Sequence, residues 1–172
     1  MIKITVDKSI LEEAKVNVKK YNSFNLFGGA YAQKLAGEVG RLCLRQFLTN
    51  NQYQFKEDTH IGSKDEFDFI IENKNVSLKT QLINFPPKQE WRCEVFIGQI
   101  ENPCDYHLFL KTHLKDNVSY ICGCISKSEF DNISVLRTAG ELLDDNFTPW
   151  NVKETKRDVM ISQLHDISIL KT

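Results

Sequence analysis

No stretch of the 172 residues approaches the roughly 18 consecutive apolar residues of a membrane span, and the N-terminal stretch carries acids and no apolar signal core. A cytoplasmic protein with no membrane partner is the expectation. Charge of one sign is equally scarce: the formal net charge is -1. Any nucleic-acid contact must then come from a local basic patch, which disfavours a protein that coats DNA. Histidine is sparse, and His60, His107, His113 and His165 lack metal-ligand spacing. Cysteine is present five times, an odd number, and without a secretion signal the thiols are expected to be reduced. Cys122-Gly-Cys124 with Cys93 and Cys104 suggests a four-thiolate zinc site, but zinc pairs are usually separated by two to four residues, and buried free thiols in strands fit this spacing better. There is neither an internal repeat nor a low-complexity tract.

What is present is an ordinary globular composition, 41% hydrophobic and 26% charged, in a chain the size of one domain. We expect a single domain over residues 1–172, with a core at about 30–130 between an N-terminal helix and a C-terminal strand and helix. Residues 10–21 read as the first helix, with Ser9 as its cap and Lys19-Lys20 at the end that the helix dipole favours for cations. Lys15 and Lys19 on its polar side either touch a phosphate backbone or are solvated. Gly28-Gly29 breaks the chain before a strongly periodic helix over 30–48. Glu38 falls at the border of its apolar arc, placed either to lean toward a site or to pair outward with Lys34 and Arg41.

Residues 53–60 alternate as a strand does, and 64–81 follow as two apolar strands joined by a turn at 72–75. Asp68 opens the first strand of this hairpin. In the second, residues two apart share a face, so Ser77, Lys79 and Gln81 align while Val76, Leu78 and Thr80 point the other way. An acid and a lysine on paired strands form either a simple salt bridge or the start of a phosphodiester site. A polar loop with Pro86-Pro87 comes next. Its Lys88, Trp91 and Arg92 offer charge and stacking to nucleic acid, or Trp91 packs on the core. Strands are expected at 106–110 and 118–125, a helix from residue 126 capped by Ser126 or Ser128, a helical piece at 136–143, a connector at 148–150, and a strand and helix within 158–170.

The order helix, hairpin with Asp and then x-Lys, two more strands, helix resembles the restriction-endonuclease-like, or PD-(D/E)XK, nuclease superfamily. The residues that carry the resemblance are Glu38, Asp68 in FDFII, and Ser77-Leu78-Lys79 in VSLKTQ, supported by CDYHLFLK and YICGCISKSEF. It implies an α/β fold with a central mixed sheet of four to five strands flanked by helices. It also implies a DNA endonuclease using Mg²⁺ or Mn²⁺, with Asp68 as principal metal ligand, Glu38 holding a metal-bound water or second ion, and Lys79 orienting the attacking water. Many members act as homodimers so that both strands are cut. The sequence departs from the pattern at Ser77, where the family has Asp or Glu. Glu38, the amide oxygen of Gln81, or Asp65 or Glu66 would have to make up the lost charge. Otherwise the chain is a noncatalytic module on the same fold that binds nucleic acid or protein.

Overall fold

Helix α1 (Lys8–Asn22) follows a short strand β1 (Ile2–Thr5), and α2 (Tyr31–Asn50) runs beneath both. The computed structural model describes residues 1–22, 31–57, 68–143 and 150–172. Asp7, rather than Ser9, caps α1: its Oδ1 accepts from the Ile10 N–H at 2.9 Å and from the Ser9 hydroxyl at 2.6 Å. Ile10, Ala14 and Val18, spaced four apart, place one apolar stripe of α1 against Leu35, Val39, Leu42 and Cys43 of α2.

The next strands are β2 (Phe55–Glu57), β3 (Phe69–Ile71) and β4 (Lys74–Leu82). The turn between β3 and β4 is tighter than the sequence suggests. Only Glu72 and Asn73 lie between the strands, both with positive φ (48° and 63°), as a two-residue hairpin turn requires. Then come β5 (Arg92–Phe96), a four-residue helix α3 (Ile97–Ile100), β6 (Tyr106–His113), β7 (Val118–Ser126) and helix α4 (Lys127–Ile133). Ser126 is the cap of α4, accepting from the Glu129 N–H at 3.2 Å. The chain continues through β8 (Val135–Arg137), β9 (Leu142–Leu143), β10 (Trp150–Asn151) and β11 (Lys156–Met160), and ends in two 3₁₀ turns, Ile161–Gln163 and Ile167–Lys171.

The fold is α/β. Its main sheet is mixed, ordered β1-β7-β6-β4-β3-β2, and has six strands rather than the expected four or five, because β1 adds to the free side of β7. Only β4 and β6 run parallel among these pairs; the others are antiparallel. A second sheet, β5-β11-β8, lies apart from it, and β9 pairs with β10. Two expectations fall here. Residues 136–143, expected as a helical piece, instead hold most of β8 and all of β9 at their two ends, since β8 pairs with β11 and β9 with β10. Arg92, read as part of a loop, begins β5. The connector expected at 148–150 falls largely outside the described residues, as does the end of the strand expected at 53–60.

One face of the main sheet packs on α2. Phe69, Ile71, Val76, Leu108, Leu110, Ile121 and Cys124 meet Leu44 and Leu48, together with Ile167 and Leu170 from the C-terminal turn. The other face gives Phe109, Cys122 and Ile125 to a second cluster with Phe130 of α4 and Cys93, Val95 and Val159 of the small sheet. Strand β7 serves both clusters through a bulge, where Phe109 pairs with Gly123 and Leu110 with Ile121, leaving Cys122 as the extra residue. Gly123 has φ +143°, and a Cβ there would lie 2.6 Å from the His165 carbonyl oxygen, so this position takes glycine. No helix among the described residues is long and apolar enough to cross a membrane.

Candidate functional site

The β3-β4 hairpin sets the site by register. Phe69 pairs with Val76, which puts Asp68 beside Ser77 on the neighbouring strand. The Asp68 N–H donates to the Val76 carbonyl at 3.0 Å, and its Oδ2 accepts from the Leu78 N–H at 2.6 Å. The carboxylate is thereby held at the strand edge while the residue stays exposed. Thr80 packs on Gly40 of α2, so Lys79 and its face-mates Ser77 and Gln81 project from the side of the sheet away from α2.

The parallel pairing of β4 with β6 builds the rest of that face. Ser77 lies opposite His107, Lys79 opposite Phe109 and Gln81 opposite Lys111. Lys79 is half-buried. Burial lowers the pKa of its ammonium, an effect opposed by the nearby Asp68 carboxylate and the Cys104 sulfur. Among the described residues it forms no salt bridge.

His107 is fully buried, with its Nδ1 3.8 Å from the sulfur of Cys104. Burial, reinforced by the positive charges of Lys79 and Lys127, pushes its pKa down to about 4, so the ring is neutral at physiological pH. Its Nε2 has no hydrogen-bond partner among the described residues, and the ring meets Phe130 edge-on at 5.0 Å between centroids. Burial raises the pKa of Cys104 too. Beside His107, Lys127 is tied to Asp131 at 3.0 Å.

The remaining predicted residues are engaged elsewhere. Glu38 sits on the α2 side of the sheet, where Oε1 accepts from Asn17 Nδ2 at 2.7 Å and Arg41 binds both oxygens, at 2.6 and 3.0 Å. Glu38 pairs with Arg41, as one of its two placements foresaw, but it is buried, 6% exposed, between α2 and Asn17 of α1, and the structure does not bring it together with Asp68 and Lys79. Gln81 gives its amide oxygen to the ammonium of Lys111, which also donates to the Arg92 carbonyl at 2.8 Å. Arg92 itself binds Asp158 at 2.8 Å. Trp91 packs against the cluster beneath the small sheet, with Lys111 Nζ 5.8 Å from its ring. Lys15 pairs with Glu12 at 2.8 Å along α1, and Lys19 and Lys88 are exposed.

Among the described residues no three His, Cys, Asp or Glu side chains gather closely enough to hold a metal ion. Asp65 and Glu66 lie outside the described residues. Sequence reasoning missed His107, Cys104 and Lys111, because what aligns them with Ser77, Lys79 and Gln81 is a pairing between strands distant in sequence. The one local hint was a histidine and a lysine spaced an even number of residues apart on an apolar strand. No known protein family, no curated protein and no solved structure matches the chain.

Proposed function

We propose that the chain is a restriction-endonuclease-like protein that takes DNA phosphate at the Asp68, Ser77 and Lys79 face and hydrolyses phosphodiester bonds with Mg²⁺ or Mn²⁺. The observation that carries this reading is Lys79: a half-buried ammonium beside a carboxylate held at the strand edge, with no salt bridge among the described residues. A poorly solvated cation is costly, and an incoming phosphate oxygen would offset that cost while leaving the lysine near the water to be activated. The succession α2, β3-β4 hairpin, β6, β7, α4 supports the reading, since it follows the order from which the resemblance was drawn.

Mg²⁺ is satisfied by one or two carboxylates when water and substrate phosphate complete its shell. Asp68 offers one carboxylate and Ser77 a hydroxyl, a donor set that fits an ion held largely by water and substrate. When bound, such an ion polarises the phosphoryl oxygen and makes hydroxide accessible at neutral pH. Lys79 would neutralise phosphate charge, and Lys19 and Lys88 are exposed cations for the DNA backbone, with Lys15, half-buried and paired with Glu12, a lesser contributor. Trp91 and Arg92 contribute less, being engaged in the interior. A homodimer would allow both strands to be cut.

Cleavage of plasmid and branched DNA with Mg²⁺ or Mn²⁺ tests the proposal. Wild type should nick or cut, and Asp68→Ala and Lys79→Ala should lose nearly all activity; equal activity in all three sinks the assignment. The engagement of Glu38 by Asn17 and Arg41 favours a second reading, a noncatalytic module on the same fold that binds nucleic acid or a protein. Calorimetry separates the two: the enzyme takes up Mn²⁺ and loses it on Asp68→Ala, whereas the module gives no heat.

A further inference from the structure

Cys93 on β5 and Cys122 at the β7 bulge come from different sheets, yet both are buried in one cluster, near enough for each thiol to shift the titration of the other. The bulge is what aims Cys122 at this cluster, since it sits between two residues of β7 that pair with consecutive residues of β6. Lys111 lies beside the pair. It is 2% exposed, its ammonium donates to Gln81 and to the carbonyl of Arg92, the residue before Cys93, and among the described residues no carboxylate pairs with it. A buried ammonium with only neutral partners favours an anion next to it.

We infer that Cys93 and Cys122 form a reversible disulfide that ties the small sheet to the main sheet, with Lys111 stabilising the thiolate through which it forms. The titration of the pair agrees: the neighbouring Cys93 thiol holds Cys122 below the ordinary thiol range, Lys111 acts in the same direction, and Cys93 is pushed well up. Hydrogen peroxide is the oxidant, small enough to reach a buried sulfur. The Cys122 thiolate attacks one peroxide oxygen, the O–O bond breaks, hydroxide leaves, and Cys122 becomes a sulfenic acid. The Cys93 sulfur then displaces the sulfenic oxygen and the S–S bond forms. The two thiol protons leave with the two peroxide oxygens as water, so two thiols lose two electrons and one peroxide gains them. A thiol reductant reverses the bond by exchange.

The test is to treat the whole reduced protein with hydrogen peroxide, then denature it, alkylate it and map the peptides by mass spectrometry. The expected result is loss of two of the five thiols, with one linked peptide pair containing Cys93 and Cys122, restored by dithiothreitol. Cys122→Ser should leave every remaining thiol alkylatable, and Lys111→Met should slow cross-linking in a protein whose circular dichroism is unchanged. Five alkylatable thiols after treatment, or Cys122 accumulating as sulfinic acid with no link, would overturn the inference. The wild-type peptide map decides the matter even if either variant fails to fold. DNA cleavage is not part of the readout, so failure here is distinct from failure of the nuclease reading.

Discussion

Gly40 and Thr80 hold α2 against the main sheet: a Cβ added at Gly40 would lie 2.7 Å from Thr80 Cγ2 and 2.8 Å from its Oγ1. The helix therefore approaches β4 as closely as it does only because residue 40 has no side chain. Gly40→Val should cost about 1–3 kcal/mol by forcing helix and strand apart, measured as a lower midpoint in urea unfolding. Pairing it with Thr80→Ala should recover part of the loss; a double variant no more stable than Gly40→Val would place the strain elsewhere.

Asp158 is 1% exposed and lies between Arg92 at 2.8 Å and Arg137 at 3.3 Å. Removing the carboxylate leaves two guanidinium groups facing each other with little water. Asp158→Ala should destabilise the protein by about 3–5 kcal/mol, the cost typical of breaking a buried ionic cluster from one side. Chemical denaturation gives the number, and a loss under about 1 kcal/mol would show that water reaches the cluster.

His107 gives a pH signature. Its folded pKa of about 4 lies below the ordinary 6.5, so below that value the unfolded chain binds the proton more readily than the folded one. The contribution is fully present above pH 6.5 and is lost as pH falls toward 4, amounting to about 3 kcal/mol over that window. His107→Phe should flatten this part of the stability profile. NMR titration of the imidazole should show no protonation down to about pH 5; a midpoint near 6.5 would contradict the burial.

Lys79 and Asp68 are coupled in a direction that can be read without any substrate. Asp68 favours the charged lysine while burial disfavours it, so Asp68→Asn should lower the Lys79 pKa further. Reductive methylation with ¹³C and NMR titration of the labelled amine measures it. An unchanged Lys79 titration would mean that the two side chains do not sense each other.

Much of this could be read from local pattern. The helix at 30–48 shows in its periodicity because α2 is covered by α1 on one side and the sheet on the other, and the central hairpin shows in its alternation and in an Asn that tolerates positive φ. The shared face of Ser77, Lys79 and Gln81 follows from the two-residue repeat alone. What local pattern did not carry was set by distant partners. Strand β1 exists because β7 offers it a free edge, and β8 and β9 become strands through β11 and β10. Glu38 was left open between two placements, and Asn17, twenty-one residues earlier on another helix, shares with Arg41 in holding it buried between the helices. His107 joins Ser77 only once β4 and β6 have paired.

The bulge in β7 has a consequence beyond the cysteine it turns into the second cluster. Ile121 and Cys124 go to the helix-side cluster and Cys122 and Ile125 to the other, each pair three residues apart where an unbroken strand would demand an even number. The extra residue works as a phase shifter, letting one strand be written in two frames. Deleting Gly123 would remove the extra residue and restore plain alternation, with Ile121 and Cys124 still on one side and Cys122 and Ile125 on the other, so what the bulge adds is length to the strand and not a change in which side these four residues serve.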